Sequence, residues 1–147
     1  VADAFIDRLQ DAGNLGTIIR TCDAAGVFSV VLSPETVELY NPKTVRATMS
    51  SIFSVNVMQA KDSIMALEEI KKSGYMLLSA CLDGKDFYQN AFSGKKCLII
   101  GNEGSGVSEA MIEMADVKVT LPMRGRIESL NAAVAAAILM YEAVRGR

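Results

Sequence analysis

The chain has 147 residues and contains no histidine, no tryptophan, three cysteines and three prolines. Without histidine, neither a Ser-His-Asp nor a Cys-His catalytic machine can be built from this sequence. The commonest metal ligand is missing too, so no metal is expected. Cys22, Cys81 and Cys97 are odd in number, far apart and never paired as C-x-x-C. That pattern excludes a disulfide framework and a zinc site, and it points to three small hydrophobes in a reducing cytoplasm. No apolar run reaches the roughly 18 residues that a membrane-spanning helix needs. The N-terminal Val1-Ala2-Asp3-Ala4-Phe5 has neither an initiator methionine nor a basic region. It is therefore not a signal peptide, and the chain is expected to be cut from something longer. Charge of one sign is scarce as well: 15 Lys and Arg stand against 17 Asp and Glu, a net charge of −2.

What is present is an ordinary globular balance, with 50% hydrophobic and 22% charged residues. The length suits one domain spanning residues 1–147 with a proper core. Apolar runs alternate with amphipathic segments. Asn14 to Ala25 suggests a helix capped by Asn14 and stopped by Gly26. Val27 to Leu32 is a β-branched run that predicts a buried strand. Asn41-Pro42 opens a second helix, and Ile52 to Val57 predicts a strand. Asp62 caps a third helix through Lys72, with Ile64, Leu67 and Ile70 on one face and Gly74 beyond. Tyr75 to Ala80 is a strand and Asp83-Gly84 a turn. Lys96 to Ile100 is a strand that runs into Gly101-Asn102-Glu103-Gly104-Ser105-Gly106. A helix over Ser108 to Ala115, a strand over Val117 to Leu121 and a long helix from Ser129 to about Arg145 complete the chain. Strands alternating with helices predict an α/β class with a mostly parallel sheet flanked by helices.

The last helix is apolar nearly all round, from Ala132 to Met140. One sheet covers one side only, so the other side calls for a second domain or a second copy. A homodimer is the expectation.

Three segments could carry chemistry. Glycines after a buried strand, as in Gly101 to Gly106, let a ligand approach the backbone. A P-loop is excluded because Val107 stands where lysine is needed, and a dinucleotide fingerprint is excluded because Glu109 ends it. A plain turn is the alternative. In Asn14-Leu15-Gly16-Thr17-Ile18-Ile19-Arg20, the arginine points either into a site or into solvent. In Leu121 to Asn131, Arg124 and Arg126 form a cationic loop suited to phosphate. Ser129 and Asn131 there either add donors at a helix start or simply cap it.

Taken in order, the three segments resemble the SpoU family of RNA ribose 2′-O-methyltransferases, of the SPOUT class. The matching stretches are Asn14-x-Gly16-x-x-x-Arg20 preceded by Gln10-Asp11, then Leu98-Ile99-Ile100-Gly101-Asn102-Glu103-Gly104-x-Gly106. The third is Leu121-Pro122-Met123 followed by Glu128-Ser129-Leu130-Asn131 and the Ala-rich helix. The resemblance covers about Gln10 to Arg145. It implies a C-terminal trefoil knot, which composition alone would never suggest. It also implies S-adenosylmethionine as cofactor, a homodimer, and an RNA substrate, ribosomal before transfer RNA. By resemblance, Gly101, Leu121 and Leu130 supply backbone contacts to the cofactor, while Glu103, Met123 and Ser129 line its pocket. Arg20 is the central catalytic residue, with Asn14, Glu103, Ser129 and Asn131 orienting it or the ribose. Guanidinium groups stay protonated at neutral pH, so Arg20 acts either as an altered base or as an electrostatic anchor for phosphate and developing alkoxide.

Charge opposes an RNA substrate, which usually calls for a basic surface. Residues 1–60 hold four basic and six acidic side chains, and residues 61–147 hold eleven of each. The candidate phosphate contacts are Arg8, Arg20, Lys43, Arg46, Arg124 and Arg126. The expectation is a catalytic domain whose firm RNA grip lies in a separate N-terminal domain. Two rivals are a non-catalytic cofactor- or RNA-binding dimeric module and a small-molecule enzyme using a nucleotide cofactor.

Overall fold

A computed structural model describes residues 2–89 and 92–145. Six strands, β1 (Ala2–Ile6), β2 (Ser29–Leu32), β3 (Asn56–Gln59), β4 (Met76–Asp86), β5 (Lys96–Ile100) and β6 (Val117–Thr120), form one sheet. Their spatial order is β3-β2-β1-β5-β4-β6, and every pairing is parallel. The helices are α1 (Ala12–Ala25), α2 (Pro42–Ala47), α3 (Ser63–Lys72), α4 (Glu109–Met114) and α5 (Ala132–Val144).

Alternation along the strands sorts the core into two layers. On β5, Leu98 and Ile100 face α1 and α5, joining Leu15, Ile18, Ile19, Leu139 and Met140. Cys97 and Ile99 face the other way, with Leu67 of α3 and Met111 of α4. The expected mostly parallel α/β sheet flanked by helices is what forms.

Several local expectations are corrected. Residues Ala2–Ile6 are a fully buried central strand between β2 and β5. Two alanines and an aspartate in five residues hide it from any apolar pattern. Asp11, not Asn14, caps α1: its Oδ1 accepts the Asn14 N–H at 2.8 Å. Gly26 does end α1 at φ 71°, where a side chain would be strained. Ile52 is not in a strand, because Ser51–Phe53 form a 3-10 turn and β3 starts only at Asn56. Asp83-Gly84 is no turn but lies inside β4. There β4 shifts register against β6 between Ala80 and Lys85. A β-carbon on Gly84 would sit 2.6 Å from the Val119 backbone, so only glycine lets the strands pass. Ser129 lies outside the last helix, which Asn131 caps by accepting the N–H groups of Ala133 and Val134 at 2.9 and 3.2 Å. Asp62 caps α3 as predicted, accepting from Met65 at 3.0 Å.

The α5 helix buries Ala133, Ala136, Leu139, Met140 and Ala143. The buried Lys96 ammonium donates to the Ala143 carbonyl at 2.8 Å, a cation at a helix C-terminus where the dipole favours it. Val134 and Tyr141 remain 48% and 52% exposed. With half-buried Ile138 between them, they form one face at i, i+4 and i+7. No described helix is long and apolar enough to cross a membrane.

Candidate functional site

Strand order reverses direction between β1 and β5, and ligands of open α/β sheets gather beyond the carboxyl ends of strands at such a point. Two loops meet there. One, Asp7–Asp11, joins β1 to α1; the other, Gly101–Ser108, joins β5 to α4. They interlock through several bonds. Asp7 Oδ2 accepts the Ser108 N–H at 2.8 Å. Asn102 Nδ2 donates to the Arg8 carbonyl at 2.8 Å, and Arg8 Nη2 donates to the Gly106 carbonyl at 3.1 Å. The Glu103 carboxylate accepts the N–H of Gln10 at 3.1 and 3.2 Å and that of Asp11 at 2.7 Å. A carboxylate on two backbone donors at a helix start is a strong arrangement.

The Gly-rich loop folds onto itself. Asn102 and Gly106 exchange backbone hydrogen bonds at 3.0 and 2.9 Å. Asn102 Oδ1 accepts from Gly104 and Ser105 at 2.9 and 3.1 Å. A β-carbon on Gly101 would run into the backbone of Gly106 and Val107, so a side chain there would break the loop.

Beside this loop opens a cavity of about 420 Å³, between the ends of β4, β5 and β6 and the start of α5. That volume lies in the range of small-ligand sites. Its walls include Gly101, Glu103, Leu121, Met123, Ser129 and Leu130 from the second and third sequence segments. Cys81, Leu82, Ala135 and Leu139 also line it; nothing in their local sequence marks them, because β4 and α5 bring them in through tertiary packing. Among the described residues, the only charged side chains lining it are Asp83 and Glu103, both acidic. The Lys118 ammonium, 2.9 Å from Asp83, holds that carboxyl below its usual range.

The remaining predicted residues, Asn14, Arg20 and Asn131, are not in the cavity lining. Asn131 Nδ2 donates to Asn14 Oδ1 at 3.2 Å, tying the first segment to the third. Asn131 thus both caps α5 and reaches across to α1. Arg20 does not line the cavity. It is exposed on α1, and among the described residues its side chain has no hydrogen bond or ion pair. Gly16 explains itself by packing, since a β-carbon there would press on the Thr44 carbonyl and lie 2.5 Å from the Ala47 side chain. The role of Arg8 is missed by the sequence: its left-handed backbone, φ 59°, and its grip on Gly106 leave no local signal.

The profile of the SpoU rRNA Methylase family matches residues 4–141. The 23S rRNA (guanosine(2553)-2′-O)-methyltransferase RlmP of Bacillus subtilis is 42% identical over 138 residues, covering 93% of this chain and 55% of that protein. An AdoMet-bound rRNA methyltransferase from Sinorhizobium meliloti superposes with a TM-score of 0.92 at 35% identity, covering 99% of this chain and 56% of that one. The SpoU methyltransferase AviRb from Streptomyces viridochromogenes, in complex with AdoMet, gives 0.89 at 33% identity, covering 98% and 57%. The chain spans a little over half the length of the curated relatives it matches, 55–58% for the first four. Its three matching segments, its parallel sheet and these relatives agree: the chain belongs to the SpoU rRNA methylase family.

Proposed function

We propose that this chain is the catalytic domain of an S-adenosylmethionine-dependent methyltransferase that modifies a ribose 2′-hydroxyl of ribosomal RNA. One observation carries the reading. The second and third segments build a single cavity, and the Asn131–Asn14 hydrogen bond fastens that cavity to α1, which bears Arg20. The rRNA 2′-O-methyltransferase name of the Bacillus relative supports the substrate, and the two AdoMet-bound neighbours support the cofactor.

The residues present fit that cofactor. Leu121, Leu130, Ala135 and Leu139 give apolar walls to a flat purine, and the loop at Gly101 brings backbone groups to the same space. Among the described residues the lining holds no lysine or arginine to meet the phosphates of ATP or NAD. When bound, the cofactor supplies a methyl group already activated by the sulfonium. The chain's task is then to orient the ribose and deal with the proton of its 2′-hydroxyl. Gly101, Leu121 and Leu130 hold the cofactor through backbone groups, with Met123 and Ser129 at the pocket wall. Glu103 fixes the Gln10–Asp11 turn, and Asn14 and Asn131 set the start of α1. Arg20, exposed on α1 outside the cavity lining, serves as phosphate anchor and stabiliser of the developing alkoxide.

Three further elements belong to this reading. The first is a homodimer through the Val134–Ile138–Tyr141 face of α5; Tyr141→Glu then yields a monomer by analytical ultracentrifugation. The second is a trefoil knot in the C-terminal part, supported by the resemblance. Pulling the chain by its ends then leaves a contour shorter than the fully extended chain. The third is a cytoplasmic catalytic domain, supported by three free cysteines, whose −2 charge leaves much of the RNA grip to a separate domain.

Calorimetric titration tests the core of the proposal. S-adenosylmethionine or its demethylated product binds and ATP and NAD do not. Binding of ATP or NAD in its place overturns it. Mapping of 2′-O-methyl positions in total RNA with and without the gene distinguishes ribosomal from transfer RNA.

A further inference from the structure

Of the six cations that the sequence offers to RNA phosphate, the fold engages one and leaves three on a common ridge. Arg8 is engaged, donating to the Gly106 carbonyl beside Asp7. Lys43 and Arg46 stand one turn apart on α2, exposed, and among the described residues neither side chain has a hydrogen bond or ion pair. Arg20 is in the same state on α1.

Packing sets Lys43 and the α2 helix that carries Arg46 against the stripe of α1 that carries Arg20. Gly13, Gly16 and Arg20 fall on one stripe of α1, at i, i+3 and i+7. A β-carbon on Gly13 would lie 3.4 Å from Lys43 Cε, and one on Gly16 would lie 2.5 Å from the Ala47 side chain. The chain of α2 therefore runs along this stripe in the same direction, and Arg20 emerges about one turn beyond the contact at Gly16. Lys43 rests beside Gly13, next to Asn14 and its bond to Asn131. Two aromatic rings flank α2 in sequence and stand in solvent, Tyr40 at 76% and Phe53 at 88% exposure.

Unpaired cations in a row, flanked by exposed aromatic rings, match single-stranded RNA: phosphates meet ammonium and guanidinium groups, and bases stack on rings. We propose that the α1–α2 ridge is an RNA-backbone surface, on which Lys43, Arg46 and Arg20 take phosphates that lead the strand toward Asn14. The proposal rests on the RNA reading above and gives that substrate its path.

The test is titration of a short labelled single-stranded RNA, without cofactor, across a salt series. Lys43→Ala/Arg46→Ala lowers affinity at low salt by roughly tenfold or more, for every RNA sequence tried. The slope of log affinity against log salt falls by about 0.7 for each phosphate no longer neutralised. Lys43→Arg/Arg46→Lys, which keeps both charges, retains most of the affinity. Lys61→Ala/Lys72→Ala removes two exposed charges elsewhere and serves as the control for net charge. Equal losses in the two alanine pairs overturn the ridge, and so does a change of oligomeric state in Lys43→Ala/Arg46→Ala, which would make this face an interface between copies. S-adenosylmethionine binding, titrated separately, stays unchanged in every variant. If the wild-type chain fails to bind it, the methyltransferase reading falls, whereas the RNA titration judges the ridge alone.

Discussion

The side-chain amide of Asn131 faces in two directions at once. Its oxygen accepts the first free N–H groups of α5, and its nitrogen donates to the side-chain oxygen of Asn14 at 3.2 Å. Because the oxygen is committed to the helix cap, the nitrogen must be the group that meets Asn14. Asn131→Asp separates the two roles. A carboxylate still caps α5, but it cannot donate, and it sets a charge against the Asn14 oxygen. Stability then stays within about 0.5 kcal/mol of wild type while methyl transfer falls by roughly tenfold or more. Asn131→Ala loses the cap as well and costs about 1 kcal/mol in addition. Thermal melts and turnover together read out both effects.

Gly101 makes a sharper prediction. Gly101→Ala places a methyl group against the backbone of Gly106 and Val107, which cannot rotate away. The loop must open, at a cost of about 1–3 kcal/mol. S-adenosylmethionine affinity, measured by calorimetry, drops more than affinity for RNA, because the disturbed loop lines the cavity itself.

Asn131 and Gly101 are both residues that the sequence singles out, and the contrast with those it hides is physical. Gly101, Glu103, Leu121 and Ser129 are visible as compact local patterns, and the fold delivers them to one cavity. Periodicity also reveals α3 and β5, whose local patterns match their environments. It fails at β1, where Phe5 and Ile6 enter the two core layers but Ala2, Asp3 and Ala4 leave an apolar run too short to read as a strand. It fails at Gly84, a glycine that looks like a turn but serves a close passage of two strands. Which cations are free is a tertiary fact: only packing shows that Arg8 is engaged and Lys43 is not.

The cysteines differ in reactivity for reasons of burial. Cys22 and Cys97 are buried, and loss of water pushes the Cys22 thiol up to about 12 and the Cys97 thiol higher still. Cys81 is half-buried and lines the cavity. A thiol reagent such as iodoacetamide therefore labels Cys81 first, and mass spectrometry locates the adduct. Bound S-adenosylmethionine slows that labelling. Equal labelling of all three thiols in the folded protein would contradict this packing.

Asp3 gives a pH dependence. It is buried in β1, its Oδ1 lacks a hydrogen-bond partner, and burial raises its pKa against the opposing pull of the Ser29 and Tyr75 hydroxyls. The folded state then holds the proton more tightly than the unfolded chain. Stability contributed by this group is present at low pH and falls as pH rises from the ordinary carboxylate value through the raised one. Asp3→Asn removes the charge, so its melting temperature exceeds that of wild type at neutral pH, and the difference shrinks as the solution is acidified through that window.

The most direct measurement transfers a labelled methyl group from S-adenosylmethionine to ribosomal RNA that lacks the modification, with wild-type chain and with Arg20→Ala. A 2′-O-methyl ribose resists alkaline cleavage, because the neighbouring hydroxyl is gone. A ribose methyltransferase centred on Arg20 puts label in alkali-resistant dinucleotides with the wild type, and none above background with Arg20→Ala, which still binds the cofactor. Label in the bases, or undiminished transfer by Arg20→Ala, would contradict it.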